Sequence, residues 1–250
     1  MENAQPVLIT GASRGIGAAT ALMAAHQGHD IAINYVHNQT AAEALARQIQ
    51  AMGRAAVLVQ GDVGNPNDIP RLFDEAEAAL GPLFGVVNNA GITGPIGPFA
   101  HTTDATIEQV FRVNVFGTMQ CCRLALESFR RHGTAGVIVN VTSIAASTGS
   151  PNEYVHYAAS KAAVESFTLG LAKEVARENI RVCGVAPGTT LTDIHATAGE
   201  PDRPKRVAPN IPMGRLARPE EIAAAIVWLL SPQASYMTGN TLQCSGGLGF

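Results

Sequence analysis

Short apolar runs alternate with longer stretches in which apolar residues recur every three or four positions, almost from one end of the chain to the other. The runs fall at 7–10, 31–35, 56–60, 85–88, 136–142, 180–185 and 241–243. Their nearly continuous apolar character predicts strands covered on both faces. The stretches at 16–27, 40–52, 69–80, 104–131, 155–178 and 219–230 have the length and period of helices. Alternating strands and helices predict βαβ units, so the fold class is α/β with a seven-stranded parallel sheet. No repeat, low-complexity tract or linker marks a boundary, and the chain from 1 to 250 reads as one domain. One irregular stretch, 187–212, holds five of the 14 prolines and the charged residues Glu200, Asp202, Arg203, Lys205 and Arg206. A connection of that length inside a compact domain is a functional lid or a disordered segment, and the lid is the favoured expectation.

Composition narrows what such a fold can serve. With 250 residues and 46% hydrophobic positions, a sizeable core needs neither disulfides nor a structural metal. Seventeen Lys+Arg against 20 Asp+Glu give a net charge of −3, and no basic cluster offers a surface to nucleic acid. The longest apolar run, ending at Leu230, falls far short of the roughly 20 residues of a membrane-spanning helix. The start, Met1 to Pro6, lacks the basic and apolar parts of a secretion signal, so a cytoplasmic location is expected. Cys121, Cys122, Cys183 and Cys244 have no metal-ligand spacing; they are expected to be reduced core thiols, and no metal site is expected.

The first strand runs into Gly11-Ala12-Ser13-Arg14-Gly15-Ile16-Gly17 and then into an alanine-rich helix. In that setting Gly11 can turn the chain at the strand end and Gly15 can admit a pyrophosphate. Gly17 can bring the helix close to the sheet, with its first N–H groups aimed at the anion. The spacing is GxxxGxG, not the GxGxxG of the general dinucleotide fingerprint, and an ordinary βα turn can share it. At the end of the second strand, Asn34-Tyr35-Val36-His37-Asn38 has no carboxylate to hold a ribose 2′-hydroxyl or repel a 2′-phosphate, while Arg14 supplies a cation. NADP(H) is the expected cofactor, with NAD(H) open as a second, and Asn34 and Tyr35 are expected at its adenosine end.

Tyr157 and Lys161 stand one helical turn apart, so both project from one face. A free tyrosine titrates near 10, and a neighbouring Lys⁺ together with a cationic nicotinamide would stabilise the phenolate and bring that value toward neutrality. The same spacing is also common on helix surfaces that do nothing.

These residues belong to a longer ordered set. Thr10 to Gly17 (TGASRGIG), Asp62-Val63, Asn88-Asn89-Ala90-Gly91, Asn114, Ser143, Tyr157-xxx-Lys161 and Pro187-Gly188 follow the order and approximate spacing of the short-chain dehydrogenase/reductase family, which the chain resembles over its whole length. The resemblance implies a Rossmann-type doubly wound domain and an oxidoreductase that interconverts a carbonyl and an alcohol by hydride transfer. It implies Tyr157 as general acid/base and Ser143 as the group polarising the same oxygen. Lys161 would lower the tyrosine pKa and hold the nicotinamide ribose, and Asn114 would support the site backbone and a proton relay. On the cofactor side it implies Gly11, Ser13, Arg14, Gly15, Ile16 and Gly17 around the phosphates and Asp62 and Val63 by the adenine. Asn89, Ala90 and Gly91 would follow the adenosine ribose, and Pro187, Gly188, Thr190 and Thr192 would lie by the nicotinamide. It implies a small-molecule carbonyl or alcohol substrate and a homodimer or homotetramer built on the helices at 104–131 and 155–178 and on the C-terminal segment.

Several features depart from the family's common pattern. The segment between Ser143 and Tyr157 is one residue longer than in many members and places Pro151, Asn152, Glu153 and Tyr154 where substrate would sit. Thr190 stands where an apolar residue is frequent, and Ser245-Gly246-Gly247 replaces a frequent Asp-Gly-Gly. Arg130, Arg131 and Arg177 resemble the basic spots by which ketoacyl reductases grip an acyl carrier protein, although solvated helix charges are the simpler reading. Within the family the chain is most similar to glucose 1-dehydrogenase-like and 3-oxoacyl-(acyl-carrier-protein) reductase-like members, which leaves sugar oxidation and oxoacyl-thioester reduction as alternatives. A non-catalytic nucleotide-sensing protein is disfavoured by the complete set of four catalytic residues, and an epimerase or dehydratase of the extended branch by the chain's length.

Overall fold

Strands form where the apolar runs predict them: β1 Val7–Ile9, β2 Ile31–Tyr35, β3 Ala56–Gln60, β4 Gly85–Asn88, β5 Val137–Val141, β6 Arg181–Pro187 and β7 Thr241–Cys244. The computed structural model describes residues 5–249; residues 1–4, which carry much of the cytoplasmic expectation, lie outside the described residues. All seven strands pair in parallel in the order β3-β2-β1-β4-β5-β6-β7. Every residue of β1, β2, β4 and β5 is buried, whereas the edge strands β3 and β7 are partly open. Burial on both faces is why the central strands read as continuous apolar runs.

The helices are α1 Gly15–His26, α2 Gln39–Ala51, α3 Asp68–Leu80, α4 Asp104–Phe111, α5 Thr118–His132, α6 Ala145–Thr148, α7 Val155–Val175, α8 Ile194–Thr197, α9 Arg203–Val207 and α10 Pro219–Leu230. One face of the sheet is covered by α1, α2 and α10, through Ala21, Leu45, Ile49, Ile222 and Ile226 packed on Ile9 and Ile33. The other is covered by α3, α5 and α7, through Leu72, Phe73, Ala125, Phe129 and Val175 packed on Leu8, Val86 and Ile138. No helix of the described residues is long and apolar enough to cross a membrane. The four cysteines are free, Cys121, Cys122 and Cys183 buried and Cys244 partly so. Burial raises the pKa of each, that of Cys122 to about 12, which leaves them protonated and inert at neutral pH.

Two elements differ from the sequence expectation. The helix expected over 104–131 is interrupted by a π-helical turn, Arg112–Gly117, that joins α4 to α5. The stretch 187–212, expected to be irregular, carries α8, α9 and a 3-10 turn at Ala208–Asn210. One-turn helices are too short for an apolar period to show.

From β1 the chain builds outward through β2 to β3, then returns to β1's other side as β4. The carboxyl ends of β1 and β4 therefore flank the point where the winding reverses, which is where open α/β sheets form their ligand crevice.

Candidate active site

The crevice is closed by two loops that hold each other. The Thr10 hydroxyl accepts the backbone N–H groups of Asn89 and Ala90, each at 3.0 Å. Asn89 Nδ2 donates in return to the carbonyls of Thr10 (2.9 Å) and Gly11 (3.1 Å). Gly15 sits at φ 56°, in the left-handed region that favours glycine. A Cβ on Gly17 would come within 2.5 Å of the Gly11 carbonyl, so only glycine lets α1 start this close to the sheet. The first-turn N–H groups of α1 lack helical partners and are ready donors for an anion. Ser13 lies in this loop, while Ile16 packs against the core.

Arg14 precedes α1 with its side chain largely exposed, 3.9 Å from Asp193. An exposed pair of this kind is weak and yields readily to a competing phosphate. Across the crevice, a Cβ on Gly15 would lie 3.2 Å from Thr192 Cγ2, and one on Gly188 would lie 2.7 Å from Ser245 Cα. Pro187 ends β6 in register with Cys244, and Thr190 Oγ1 donates to the Gly188 carbonyl at 3.0 Å.

Four of the expected cofactor residues are engaged within the protein itself. Asn34 is buried: its Oδ1 accepts the Gly11 N–H at 3.1 Å, and its Nδ2 donates to Val59 (3.1 Å) and Gly61 (2.9 Å). Tyr35 is buried in the core. Both lie within β2, which is covered on both faces; beyond its end Val36 is half-buried, and His37 and Asn38 are exposed. Asp62 Oδ1 accepts the Gly64 N–H at 2.8 Å and so forms the turn after β3, while Val63 is buried behind it.

At the mouth of β4 and β5 the four residues of the expected catalytic set come together. Tyr157 and Lys161 lie on the buried face of α7, with Lys161 Nζ 5.8 Å from the tyrosine ring centroid and donating to the Val141 carbonyl at 2.8 Å. Ser143 follows β5; its Oγ accepts the Ala145 N–H at 3.1 Å, where α6 begins, and the residue acts on the Tyr157 phenol to lower its pKa. Asn114 reaches in from the π-helical turn. Its Nδ2 donates to the Ile92 carbonyl (2.9 Å) and Ser160 Oγ (3.0 Å), and its Oδ1 accepts the Ile92 N–H at 2.9 Å. Gly91 fits between them, since a Cβ there would sit 3.2 Å from Lys161 Nζ and 3.3 Å from Asn114 Oδ1.

Electrostatics in this cluster are set first by burial. Burial raises the Tyr157 pKa; Ser143 draws it down, Tyr154 raises it and Arg203 lowers it. Burial also lowers Lys161 to about 8, so the ammonium still predominates at neutral pH. The expected fall of the tyrosine toward neutrality is therefore not a property of the protein's own groups. A further positive charge in the cleft is needed to reach it.

Sequence reasoning missed several neighbours. Ser160 Oγ donates to the Tyr157 carbonyl at 2.7 Å and links it to Asn114; its place three residues after Tyr157 was the available signal. The Thr93 carbonyl accepts from His156 Nε2 at 2.8 Å, and Thr142 Oγ1 donates to Glu165 at 3.0 Å. Neither has a local signal, because the partners are distant in sequence. Arg130 and Arg131 pair with Glu178 and Glu77.

A doubly wound parallel sheet with a glycine loop at its switch point and a Tyr-Lys-Ser-Asn cluster at its mouth defines a dinucleotide-binding α/β enzyme. Residues 11–249 match the family model described as Enoyl-(Acyl carrier protein) reductase, and the chain belongs to that family, within the short-chain dehydrogenases/reductases. It is 45% identical over 242 residues, 96% of this chain and 98% of the other, to the uncharacterized oxidoreductase YgfF of Escherichia coli K12. It is 37% identical to an L-rhamnose 1-dehydrogenase (NAD(P)(+)) of a Sphingomonas species, covering 97% of this chain and 95% of that one. Among solved structures it resembles a 3-ketoacyl-(acyl-carrier-protein) reductase from Brucella melitensis complexed with NADH, with a TM-score of 0.91, 32% identity and 98% of both chains covered. A blue fluorescent protein from a metagenomic library in complex with NADPH gives a TM-score of 0.90 at 30% identity, with 99% of both chains covered.

Proposed function

We propose that the protein is an NADP(H)-dependent oxidoreductase that interconverts a small-molecule carbonyl and its alcohol, with Tyr157 as the general acid/base. The observation that carries this reading is the meeting of Tyr157, Lys161, Ser143 and Asn114 beside the glycine loop. The loop fits a dinucleotide: glycine is required at Gly17, and the first N–H groups of α1 are without helical partners. When bound, the nicotinamide supplies or accepts the hydride.

The chain's own residues do the rest. Ser143 and Tyr157 hold the substrate oxygen, and Tyr157 gives it a proton in reduction or takes one in oxidation. Lys161 holds ribose hydroxyls and keeps a cation near the phenol. Asn114 fixes Ile92 and Ser160, and with them the floor of the cleft.

Arg14 with the carboxylate-free end of β2 favours the 2′-phosphate of NADP(H); NAD(H) remains a second cofactor, and the relatives' names cover both. Gly11, Ser13, Gly15 and Gly17 hold the pyrophosphate and Gly188, Thr190 and Thr192 face the nicotinamide. For substrate, sugar oxidation and oxoacyl-thioester reduction stand as alternatives, since relatives with each of those names are 37% and 36% identical to this chain. The chain is read as one domain with a lid over 187–212, located in the cytoplasm and assembled as a homodimer or homotetramer.

The test is separate titration with NADPH and NADH, then both against sugars, 3-oxoacyl thioesters and small ketones. Tighter NADPH binding that falls about 10- to 100-fold in Arg14→Ala, with turnover of one substrate class, is expected. Equal binding of the two cofactors contradicts the role given to Arg14, and no turnover across the panel contradicts the activity.

A further inference from the structure

The lid is fastened by charge to the loop that precedes the catalytic helix. Arg203, on α9, is 6% exposed and donates to Glu153 Oε2 from Nη2 (2.5 Å) and Nε (3.2 Å). Arg206 donates to the other oxygen, Oε1, at 2.7 Å and also binds Glu200. His195 lies on the far side of Arg203, with Nδ1 3.5 Å from Nη1 and Nε2 donating to the Thr190 carbonyl. The backbone joins the same loops, as Gly97 N–H donates to the Glu153 carbonyl at 2.7 Å and Ile96 N–H to that of Ala198 at 3.2 Å.

A buried ion pair is poor evidence for stability, because desolvation cancels much of its attraction. What the guanidinium fork does supply is a fixed orientation. Here it sets the Arg203 guanidinium 5.2 Å from the Tyr154 ring, and the Tyr154 ring meets the Tyr157 ring edge-on at 5.2 Å and 87°. The loop carrying Glu153 and Tyr154 is strained, with Ser150 and Asn152 at φ 43° and 61°, and a conformation of that kind persists only when its surroundings hold it. Glu153, Arg203, Tyr154 and Tyr157 thus form one contiguous chain from the lid to the phenol.

We propose that Arg203, oriented by Glu153, is a positioning residue that seats Tyr154 against the Tyr157 ring, so that docking of the lid and alignment of the catalytic phenol are one event. This rests on the function proposed above. The charged and titratable groups around the phenol are Lys161 on its own helix, Tyr154 at the helix start and Arg203 from the lid, with Glu153, Glu200 and His195 around Arg203. Arg203 lowers the Tyr157 pKa, so its removal moves the limb of the pH–rate profile that reports the phenol to higher pH.

The test compares Arg203→Met, Tyr154→Ala, their double variant and Tyr154→Phe, using the carbonyl that the unmodified protein reduces fastest in the panel above. Assays run below the melting temperature of the least stable variant. Arg203→Met and Tyr154→Ala should each lower kcat about tenfold, with KM changed less, and the double variant should lose no more than either alone. Tyr154→Phe, which keeps the ring, should lose less kcat than Tyr154→Ala. In Arg203→Met the phenol limb should move to higher pH. Additive losses in the double variant, or pH profiles that superimpose while only KM or melting temperature changes, overturn the proposal and leave the oxidoreductase reading intact. An unmodified protein that turns over nothing overturns that reading and this inference together.

Discussion

Lys161 is the residue at which function works against stability. Its pKa is lowered to about 8 by burial alone. In the unfolded chain a lysine keeps its proton up to about 10.4, so between the two values the unfolded state binds more protons and stability rises with pH. Below pH 8 the whole penalty is present. Lys161→Met should therefore be more stable than the unmodified protein at pH 7, by about 1–3 kcal/mol, with the advantage shrinking toward pH 10 and turnover lost. Urea unfolding at pH 7 and pH 9.5 measures this, and a variant less stable at both pH values contradicts it. At this scale the meeting of Tyr157, Lys161, Ser143 and Asn114 was legible because Tyr157 and Lys161 share a helix face and all four stand in a fixed order along the chain. The burial of Asn34 and Tyr35 was not, since a strand covered on both faces gives no sign of where its covered part ends.

Among the elements, the π-helical turn at Arg112–Gly117 is the one tied most directly to the site, because it lets Asn114 point into the cleft and clamp Ile92 by both backbone groups. Asn114→Ala leaves that N–H, that carbonyl and Ser160 without their partner. It should cost about 2–4 kcal/mol in thermal or urea unfolding and lower kcat more than it changes KM. A variant of unchanged stability would show that the clamp is dispensable. The turn was invisible in the sequence because one extra residue per turn shifts the apolar stripe by less than its own width, so 104–131 still reads as a single helix. The same limit hid α8 and α9, whose placement depends on Glu153, 50 residues from Arg203.

For the whole molecule, alternation of strand and helix predicted a parallel seven-stranded sheet, but the order of strands rests on pairings between distant segments that no local pattern encodes. Phe116 and Leu169 are about half exposed on the helices on which the proposed homodimer or homotetramer is built. Phe116→Asp with Leu169→Asp should shift the light-scattering mass to a smaller assembly, whereas an unchanged mass would place the interface elsewhere. The most direct measurement is made on Tyr157→Phe, which keeps the ring and removes the proton. NADPH should bind it within a few-fold of the unmodified protein, while turnover of the best carbonyl falls by about 10²–10⁴ or more. Retained turnover would show that the proton comes from another group and that Tyr157 is not the acid/base of this site.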